Sequence, residues 1–345
     1  MPSGRNLVVV ATAGSLKTQG IIDSALAITN ERVLIATYTL ENQRQIVRRI
    51  SDRVGSVPAN IAVMGWFGFL IAHGARPYQR ALTGVPGRIR GLNFEGKCPP
   101  YTKKTQVQRY YLDAGGNMYR DGVADFVCQA DAATGGAVVA RIERVFPHIF
   151  IDEVQDLSGY DLDVLDLLFA SRAAVIAVGD LRQRTYSTTR SSRHKKYRGA
   201  AFLNWLRDRE SVCQLEERNE NFRCHQAICD LADSIFPEFT ASVSRLDEEP
   251  TGHDGVFMIR PDQVLAYYET HQPLVLRHSV ATPTQGLPAI NIGVSKGSTF
   301  ERVLIFPTKP MLQFLADGDP SILRDRARFY VAVTRAKHSV AFVVP

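Results

Sequence analysis

Short runs of β-branched and other apolar residues recur along the chain at wide spacing, each bounded by Gly, Asp or Thr. In the first half these runs cover residues 7–11, 33–37, 61–64, 149–151 and 175–178. Helical patterns separate several of them, for example at residues 41–54 and 162–169. Continuous apolar strands that alternate with helices are typical of a parallel sheet covered on both faces. The pattern therefore predicts an α/β fold.

A second set of apolar runs follows near the end of the chain, at residues 256–259, 274–276, 303–306 and 340–344. Between about residues 74 and 136 the alternation of strands and helices is interrupted by a segment rich in Gly, Pro, Tyr, Lys and Arg. This interruption indicates an inserted subdomain. We therefore predict two α/β domains, residues 1–208 with this insert and residues 209–345.

Composition narrows the class of protein without identifying it. The chain has 345 residues, 45% hydrophobic and 22% charged, which excludes wholesale disorder and collagen-like repeats. A net charge of +6 and a pI of about 9.1 favour a polyanionic partner. No apolar run is long enough for a membrane span, and no secretion segment is recognisable. The five cysteines form no CxxC pair, which argues against structural zinc and disulfides and favours a cytoplasmic protein.

The first apolar run leads directly into a segment with the chemistry of a phosphate site. Ala11-Thr12-Ala13-Gly14-Ser15-Leu16-Lys17-Thr18 is predicted as a strand, a turn and a helix start. In such a turn, backbone N–H groups and the helix dipole attract phosphate. Lys17 is expected to reach the β- and γ-phosphates, and the Thr18 hydroxyl to bind Mg²⁺. Leu16 stands where this pattern has glycine.

A second apolar run ends in two neighbouring acids, Asp152 and Glu153. Buried strands rarely end this way without a cation or a proton-transfer task. Asp152 is therefore the candidate to hold Mg²⁺, and Glu153 the candidate to polarise an attacking water.

The segment 152–156, DEVQD, resembles the DExQD box of superfamily 1 helicases, most closely the UvrD/Rep branch. Four more segments follow in that family's order: VGDLRQ at 178–183 is similar to GDxxQ, NFR at 221–223 to NYR, SKGSTF at 295–300 to SKGLEF, and YVAVTRAK at 330–337 to YVAVTRA. The resemblance spans nearly the whole chain and implies two tandem RecA-like P-loop NTPase domains with parallel sheets and one small insert.

The resemblance also implies roles for individual residues. ATP is expected in the cleft between the domains, with Mg²⁺ as cofactor. Gln183, Arg223 and Arg335 are implied to sense or stabilise the γ-phosphate. Phe222 is implied to stack on adenine, helped by Gln19 because the family's upstream adenine-reading glutamine has no counterpart. Thr299 replaces a nucleotide-contacting glutamate of the family, so that role is not carried over.

Candidate contacts to DNA come from three further segments. Thr37 and Tyr38 resemble the family's TFT motif, and Trp66 lies in the place of its TFHSF motif, where Phe67 and Phe69 are equally compatible with core positions. Tyr186 and the segment 197–200 resemble the two ends of IYGFRGA, which makes Tyr197 and Arg198 candidates. Exposed aromatics beside a basic groove are the means of sequence-tolerant single-strand binding. Two basic stretches, 88–109 and 182–198, support the same interpretation.

These features predict an ATP-dependent translocase or helicase of UvrD type, of 3′→5′ polarity, acting on single-stranded or tailed duplex DNA. The segment between Arg223 and Lys296 is too short for the family's large insertion. One alternative is therefore a DNA-stimulated ATPase subunit or switch that unwinds poorly without a partner such as a nuclease. A viral-type RNA helicase is another, and a non-hydrolysing binding protein, suggested by Leu16, is a third.

Overall fold

A computed structural model describes residues 6–85, 87–184 and 188–345. Its first part contains the strands β1 Leu7–Ala11, β2 Val33–Thr37, β3 Ile61–Gly65, β4 Gly91–Asn93, β5 Asn117–Tyr119, β6 His148–Ile151, β7 Ala174–Gly179 and β8 Gln214–Arg218. The helices of this part are α1 Lys17–Leu26, α2 Leu40–Val54, α3 Trp66–Phe69, α4 Arg76–Thr83, α5 Val107–Tyr111, α6 Val123–Ala133, α7 Ala137–Val145, α8 Tyr160–Phe169 and α9 Phe202–Arg207.

The second part continues in the same alternating manner. Its strands are β9 Glu220–Asn221, β10 Val243–Ser244, β11 Gly255–Ile259, β12 Leu274–Arg277, β13 Ala289–Asn291, β14 Phe300–Phe306 and β15 Ala336–Val343. Its helices are α10 Gln226–Ile235, α11 Val264–His271, α12 Lys309–Asp317 and α13 Arg326–Val333. The predicted α/β class with parallel sheets is confirmed, and the predicted strands agree with the observed ones to within a few residues.

Internal contacts divide the chain into two compact units. Unit 1 comprises the described parts of Met1–Val9, Lys17–Gly179 and Tyr186–Glu216, and unit 2 the described parts of Val10–Leu16, Asp180–Thr185 and Glu217–Pro345. Two short segments that precede residue 208 therefore belong to unit 2: the phosphate-loop segment and the segment after β7. This division differs from the predicted single domain boundary near residue 208. That boundary stays a prediction.

The larger sheet has six strands in the order β3-β2-β6-β7-β1-β8. Strands β3, β2, β6 and β7 pair in parallel, with Val33 opposite both Ile61 and His148. The carboxyl ends of these strands therefore meet at one edge, which is the edge where α/β sheets bind ligands. The ends of β2, β3 and β6 bring Thr37, Gly65 and Asp152 to that edge.

The insert predicted at about 74–136 is built from α4, α5 and α6 with the small parallel pair β4 and β5. Helix α6 packs its buried residues, among them Phe126 and Val127, toward the rest of unit 1. Helix α6 thus packs the insert against α8, which lies outside it.

Unit 2 is organised around a five-stranded parallel sheet in the order β11-β15-β14-β12-β13. A large apolar cluster that includes Ile228, Val303 and Phe329 covers one side of this sheet, and a smaller cluster around Val264 and Leu304 covers the other. Because both faces are buried there, residues 303–306 of β14 and 340–343 of β15 are continuously apolar rather than alternating. Within the described ranges, no helix combines the length and apolar character of a membrane span.

Candidate functional site

The Lys-Thr pair at the start of α1 lies beside the end of β6 in unit 1. The Thr18 hydroxyl donates a hydrogen bond of 3.0 Å to Oδ2 of Asp152, whose residue is 3% exposed. Burial, followed by the neighbouring Glu153 carboxylate, raises the pKa of Asp152 well above its usual range, whereas Lys17 and the Thr18 hydroxyl oppose that rise. A buried carboxylate in this state gains stability from a nearby cation.

Glu153 has an unusual backbone conformation for its residue type. Its φ of 58° lies in the left-handed region, where side chains other than those of Gly, Asn and Asp are uncommon. The Glu153 N–H bonds Oδ1 of Asp152 at 3.0 Å, and the Gln155 amide donates to the Glu153 carboxylate. Strained backbone of this kind clusters at functional sites, because the surrounding structure must hold it in place.

The same residues fit a bound Mg²⁺. Mg²⁺ is coordinated by oxygen atoms and is commonly held by one or two carboxylates together with substrate phosphates. Thr18 and Asp152 supply a hydroxyl and a carboxylate within one hydrogen bond of each other. Burial of the Asp152 carboxylate beside Glu153 is the observation that favours a cation here, because a buried negative charge requires a compensating positive one.

The phosphate-loop residues before Leu16 pack within unit 2. Gly14 has a φ of 71°, and a Cβ at this position would collide with the side chains of Asn221 and Arg223. The Phe222 N–H bonds the Gly14 carbonyl at 3.0 Å, and the Ala13 N–H points to the Tyr330 hydroxyl at 3.3 Å. The close approach of the loop to the 221–223 segment therefore requires glycine.

Leu16 adopts a φ of 59°, the left-handed conformation for which glycine is the usual residue. Its side chain is 57% exposed, so it contributes little apolar burial. The loop pattern has glycine at this position because the backbone here adopts a positive φ. Leu16 adopts the same φ, but with steric strain.

We expect Leu16→Gly to raise or preserve the stability of the fold. Relief of a left-handed leucine is worth about 1–2 kcal/mol, offset by about 0.5–1 kcal/mol for the entropy of glycine in the unfolded chain. Chemical denaturation measures this change. Leu40→Gly is the matched control, because Leu40 is also more than half exposed but begins helix α2, where glycine costs about 1 kcal/mol. Equal destabilisation by the two changes would contradict strain at Leu16.

The remaining predicted ATP-binding residues have distinct environments. Ser15 is 8% exposed, and its hydroxyl has no hydrogen-bond partner among the described residues. A buried hydroxyl without a partner is costly, and a phosphate oxygen would satisfy it. Phe222 is 43% exposed, as a base-stacking ring must be before the base binds. Gln19 bonds Asp23 one helical turn away at 2.8 Å, so nothing in its contacts singles it out for adenine.

Two of the predicted γ-phosphate sensors meet within unit 2. The Arg335 guanidinium, 1% exposed, donates to the Gln183 side-chain oxygen at 3.2 Å, to the Ser298 carbonyl at 3.1 Å and to the Val331 carbonyl at 3.1 Å. Gln183 in turn donates to Asp180 Oδ2 at 2.8 Å. The side chains of Arg335 and Gln183 are thus held by each other and by their surroundings.

The third predicted sensor, Arg223, bonds the Thr334 carbonyl at 3.2 Å and is half-buried. Thr334 caps the C-terminus of α13 and directly precedes Arg335, so this bond ties Arg223 to the end of that helix. Arg223 also flanks Gly14 of the phosphate loop. The structure therefore brings the 221–223 segment, the phosphate-loop turn and the end of α13 together.

The predicted DNA-binding residues at the end of β2 are only partly accessible. Thr37 is 1% exposed. Tyr38 is half-buried, with its ring against Phe67 at 6.0 Å and its hydroxyl in a hydrogen bond with Arg120. Desolvation raises the pKa of Tyr38, which keeps it a neutral phenol. Tyr38 presents part of a ring to solvent, whereas the Thr37 side chain is buried and cannot contact DNA in this conformation.

The structure corrects the expectation for Trp66. The Trp66 side chain is 1% exposed, and its Nε1 donates a hydrogen bond of 2.7 Å to the buried Asp161 carboxylate. Such an indole is a core residue and cannot stack on a base in this conformation. Phe67 and Phe69 are 6% and 0% exposed and belong to the core as well. The exposed aromatic nearest this segment is Phe94 of the insert, 43% exposed, with its ring 6.3 Å from that of Phe67.

Tyr197 and Arg198 lie on the surface of unit 1. The Tyr197 hydroxyl bonds Asp208 at 3.0 Å, and the Lys196 ammonium lies 4.7 Å from the centre of its ring. Arg198 and its neighbour Lys195 are exposed. Tyr186, the other end of the same predicted motif, lies outside the described residues.

Not every basic residue of the two stretches is available to a phosphate. Arg182 is 4% exposed and bonds Asp180 at 3.1 Å, so it belongs to the interior of unit 2. Lys104 pairs with Asp125 at 2.7 Å, and Arg193 forms a two-pronged pair with Asp163. In contrast, three arginines of the first stretch line a cavity of about 810 Å³ in the insert: Arg88, Arg90 and Arg109.

Sequence reasoning missed two residues that organise the site. Gln155 holds the Glu153 carboxylate, and the Tyr330 hydroxyl contacts Thr12 and Ala13 of the phosphate loop. Both residues lie inside family-like segments, Gln155 in DEVQD and Tyr330 in YVAVTRAK. Their place in these segments could have marked them as site residues. Their contacts could be identified only from the folded structure.

Residues 101–207 match the family model of the UvrD/REP helicase N-terminal domain. A search of curated proteins returned no match.

Solved structures with broad likeness include the helicase (nonstructural protein 10) of Arterivirus, with 17% identity, a TM-score of 0.48, and coverage of 98% of this chain and 60% of that chain. Its complex with DNA has 17% identity, a TM-score of 0.49 and coverages of 98% and 61%. The PRRSV helicase has 16% identity, a TM-score of 0.46 and coverages of 100% and 53%. The chain spans less than two thirds of the length of each. The family-model match over residues 101–207 confirms the resemblance, predicted from the ordered motifs, to UvrD/Rep-type superfamily 1 helicases.

Proposed function

We propose that this chain is an ATP-driven motor of UvrD type that translocates on single-stranded DNA with 3′→5′ polarity. The observation that carries the proposal is the group formed in unit 1 by Lys17, Thr18, Asp152 and Glu153. There a buried carboxylate accepts a hydrogen bond from the Thr18 hydroxyl at 3.0 Å and is attracted by Lys17. A lysine, a hydroxyl and two acids in this arrangement serve phosphoryl transfer to water.

In the proposed reaction Thr18 and Asp152 hold Mg²⁺, which neutralises charge on the ATP phosphates. Lys17 binds the β- and γ-phosphates, and Ser15 donates its otherwise unpartnered hydroxyl to a phosphate oxygen. Glu153 orients the attacking water and accepts its proton, with the Gln155 amide fixing the direction of the carboxylate. The left-handed backbone at Glu153 contributes to that direction.

Gln183, Arg223 and Arg335 are proposed to respond to the γ-phosphate. Arg335 now shares its donors between Gln183 and the Ser298 carbonyl. A phosphate oxygen is a stronger acceptor for a guanidinium than an amide oxygen, because both partners are charged. We expect ATP to compete for these donors, which would couple the occupancy of the site to the conformation of the 295–300 segment.

The proposed contacts with nucleic acid rest on charge and on partly exposed aromatic rings. Lys195, Lys196 and Arg198 are exposed and flank Tyr197 in the sequence, and three arginines of the insert line a cavity. Phosphate contacts of this kind bind without sequence preference, while a ring such as Tyr197 stacks on a base for about 1–3 kcal/mol. Tyr38 is the second proposed stacking residue.

We expect single-stranded DNA affinity to fall steeply between low and moderate salt. Each lost phosphate contact reduces the slope of log K against log salt by about 0.7, so the double variant Lys195→Gln, Arg198→Gln should lower the slope by about 1.4. Fluorescence anisotropy over a salt series measures it. The matched control is Lys309→Gln, Arg324→Gln, which removes two exposed charges from unit 2. A salt-independent affinity would refute the charge argument.

One assay distinguishes the proposed motor from its alternatives. ATP turnover is measured with single-stranded DNA and RNA, together with strand displacement on 3′- and 5′-tailed duplexes. DNA-stimulated turnover with displacement from the 3′-tailed duplex supports the proposal. Stimulated turnover without displacement favours an ATPase subunit that requires a partner such as a nuclease. Stronger stimulation by RNA favours an RNA helicase, and the absence of turnover would overturn the enzyme assignment.

A further inference from the structure

A cluster in unit 2, separate from the predicted nucleotide residues, brings one nitrogen and two carboxylate ligands together. His338 lies on β15, Glu301 on β14 and Glu248 in the loop before β11, and their ligand atoms all lie within 4.8 Å of one another. We propose that His338, Glu248 and Glu301 form a binding site for a divalent transition-metal ion, with Zn²⁺ as the best-suited occupant. This inference is independent of the proposed ATPase.

An irregularity in strand pairing creates the cluster. Phe300 pairs with Ala336, but Arg302 pairs with Ser339, so β15 has one more residue than β14 in this interval. Two consecutive side chains, Lys337 and His338, therefore reach the single Glu301 carboxylate. Such β-bulges redirect side chains and are over-represented next to functional sites.

The histidine is oriented as a metal ligand would be. His338 Nδ1 lies 3.0 Å from Asp254 Oδ1, and Asp254 is itself held by the Thr251 N–H at 2.7 Å and the Thr251 hydroxyl at 3.0 Å. A carboxylate that accepts from Nδ1–H selects Nε2 as the ligand atom, and this pairing accompanies most metal-bound histidines. The His338 side chain is 5% exposed, so its ring orientation is fixed by packing as well.

The distances are close to those of a coordinated ion. His338 Nε2 lies 3.2 Å from Glu248 Oε2 and 3.1 Å from Glu301 Oε2. Ligands at tetrahedral angles and metal–ligand bonds of about 2.0–2.2 Å are separated by about 3.4 Å. A shift of a few tenths of an ångström would admit the ion. The two glutamate side chains are 42% and 65% exposed, which leaves them room to move and gives the ion a path from solvent.

The charge balance favours a cation. Asp254, Glu248 and Glu301 carry three negative charges around His338. Lys337 contributes one positive charge by pairing with Oε1 of Glu248 and approaching Oε1 of Glu301 at 3.7 Å. Arg302 contributes a second by donating to the Thr251 hydroxyl that bonds Asp254, so a negative excess remains. Both Oε2 atoms remain directed at the histidine. A set of one imidazole and two carboxylates suits Zn²⁺, whereas Mg²⁺ prefers oxygen ligands alone. Zn²⁺ and Mg²⁺ are therefore expected to occupy different sites on this chain.

The test is a titration of the full, tag-free, metal-stripped chain with Zn²⁺, followed by calorimetry, and with Co²⁺, followed by absorbance. We expect one ion per chain at this site. The Co²⁺ spectrum should lack thiolate charge-transfer bands, because no cysteine is a ligand. His338→Gln should abolish this binding and Glu301→Gln should weaken it, while Asp254→Asn should weaken it about 10–100-fold.

His278→Gln is the matched control, since it removes a half-buried histidine of the same unit outside the cluster and should leave Zn²⁺ affinity unchanged. If His338→Gln fails to fold, Glu301→Gln decides, because that side chain is largely exposed and its loss should not unfold the protein. The proposal is wrong if the parent chain binds no Zn²⁺, or if binding is the same in Glu301→Gln and Asp254→Asn as in the parent.

Discussion

Glu153→Gln should reduce ATP turnover by about 10²–10⁴-fold while nucleotide binding is retained. The substitution keeps the size of the side chain and removes only the capacity to take a proton from water. Lys17, Thr18 and Asp152 remain to hold the phosphates, so affinity for ATP should change little. Steady-state phosphate release measures turnover, and equilibrium binding of a fluorescent ATP analogue measures affinity.

Glu210→Gln is the isosteric control, because Glu210 is an exposed acid of the same unit, remote from β6 in the chain. It should turn over ATP at the parent rate. Parent-like turnover in Glu153→Gln would remove Glu153 from the catalytic role. Loss of binding together with turnover would instead indicate that the left-handed turn at 153 maintains the phosphate site.

Arg335→Ala should lower both the free energy of unfolding and the rate of ATP hydrolysis. The change removes the donor to the buried Gln183 side-chain oxygen, one of two side-chain donors to the buried Val331 carbonyl, and the donor to the part-buried Ser298 carbonyl. Each buried acceptor so deprived costs about 1–3 kcal/mol, and we expect a total of about 2–5 kcal/mol. If Arg335 stabilises the γ-phosphate in the transition state, turnover should fall by about 10³-fold or more. Chemical denaturation and phosphate release measure the two effects separately.

Arg335→Lys separates a structural role from a catalytic one. A lysine keeps the charge and fills most of the volume, but it cannot donate to several fixed acceptors as the planar guanidinium does. We expect a folded protein with intermediate stability and strongly reduced turnover. Arg324→Ala, an exposed arginine of unit 2, is the control for loss of charge. Parent-like turnover in Arg335→Lys would limit Arg335 to a structural role.

Much of the nucleotide site could be predicted from the sequence because its residues lie at the junctions of strands with turns. The end of an apolar strand marks the edge of a parallel sheet, so Lys17, Asp152 and Glu153 could be assigned to that edge from their order alone. The glycine expected at position 16 was likewise informative, since the observed φ of Leu16 is the one that glycine adopts.

Aromatic and basic residues were predicted less well. Trp66 and Arg182 were predicted to lie on the surface, because such side chains often face solvent beside nucleic acid. In the structure both are buried, and they donate hydrogen bonds to Asp161 and Asp180. A buried polar group is stable only when its partner is in place, and the partner can come from any distance along the chain. For this reason sequence patterns could not separate these residues from Tyr197.

The amino-acid sequence by itself determined the α/β class with its parallel sheets and the order of the main strands, because hydrophobic period and strand-end residues are local properties of a chain. The two-domain division and the phosphate-loop chemistry stay predictions from the same local patterns. Only the tertiary structure decided that the loop before Leu16 packs with the 221–223 segment, that Gln183 meets Arg335, and that His338 lies between two glutamates. These contacts join residues far apart in the chain. They depend on strand register and on one bulge, and a shift of one residue in either would have turned the same side chains elsewhere.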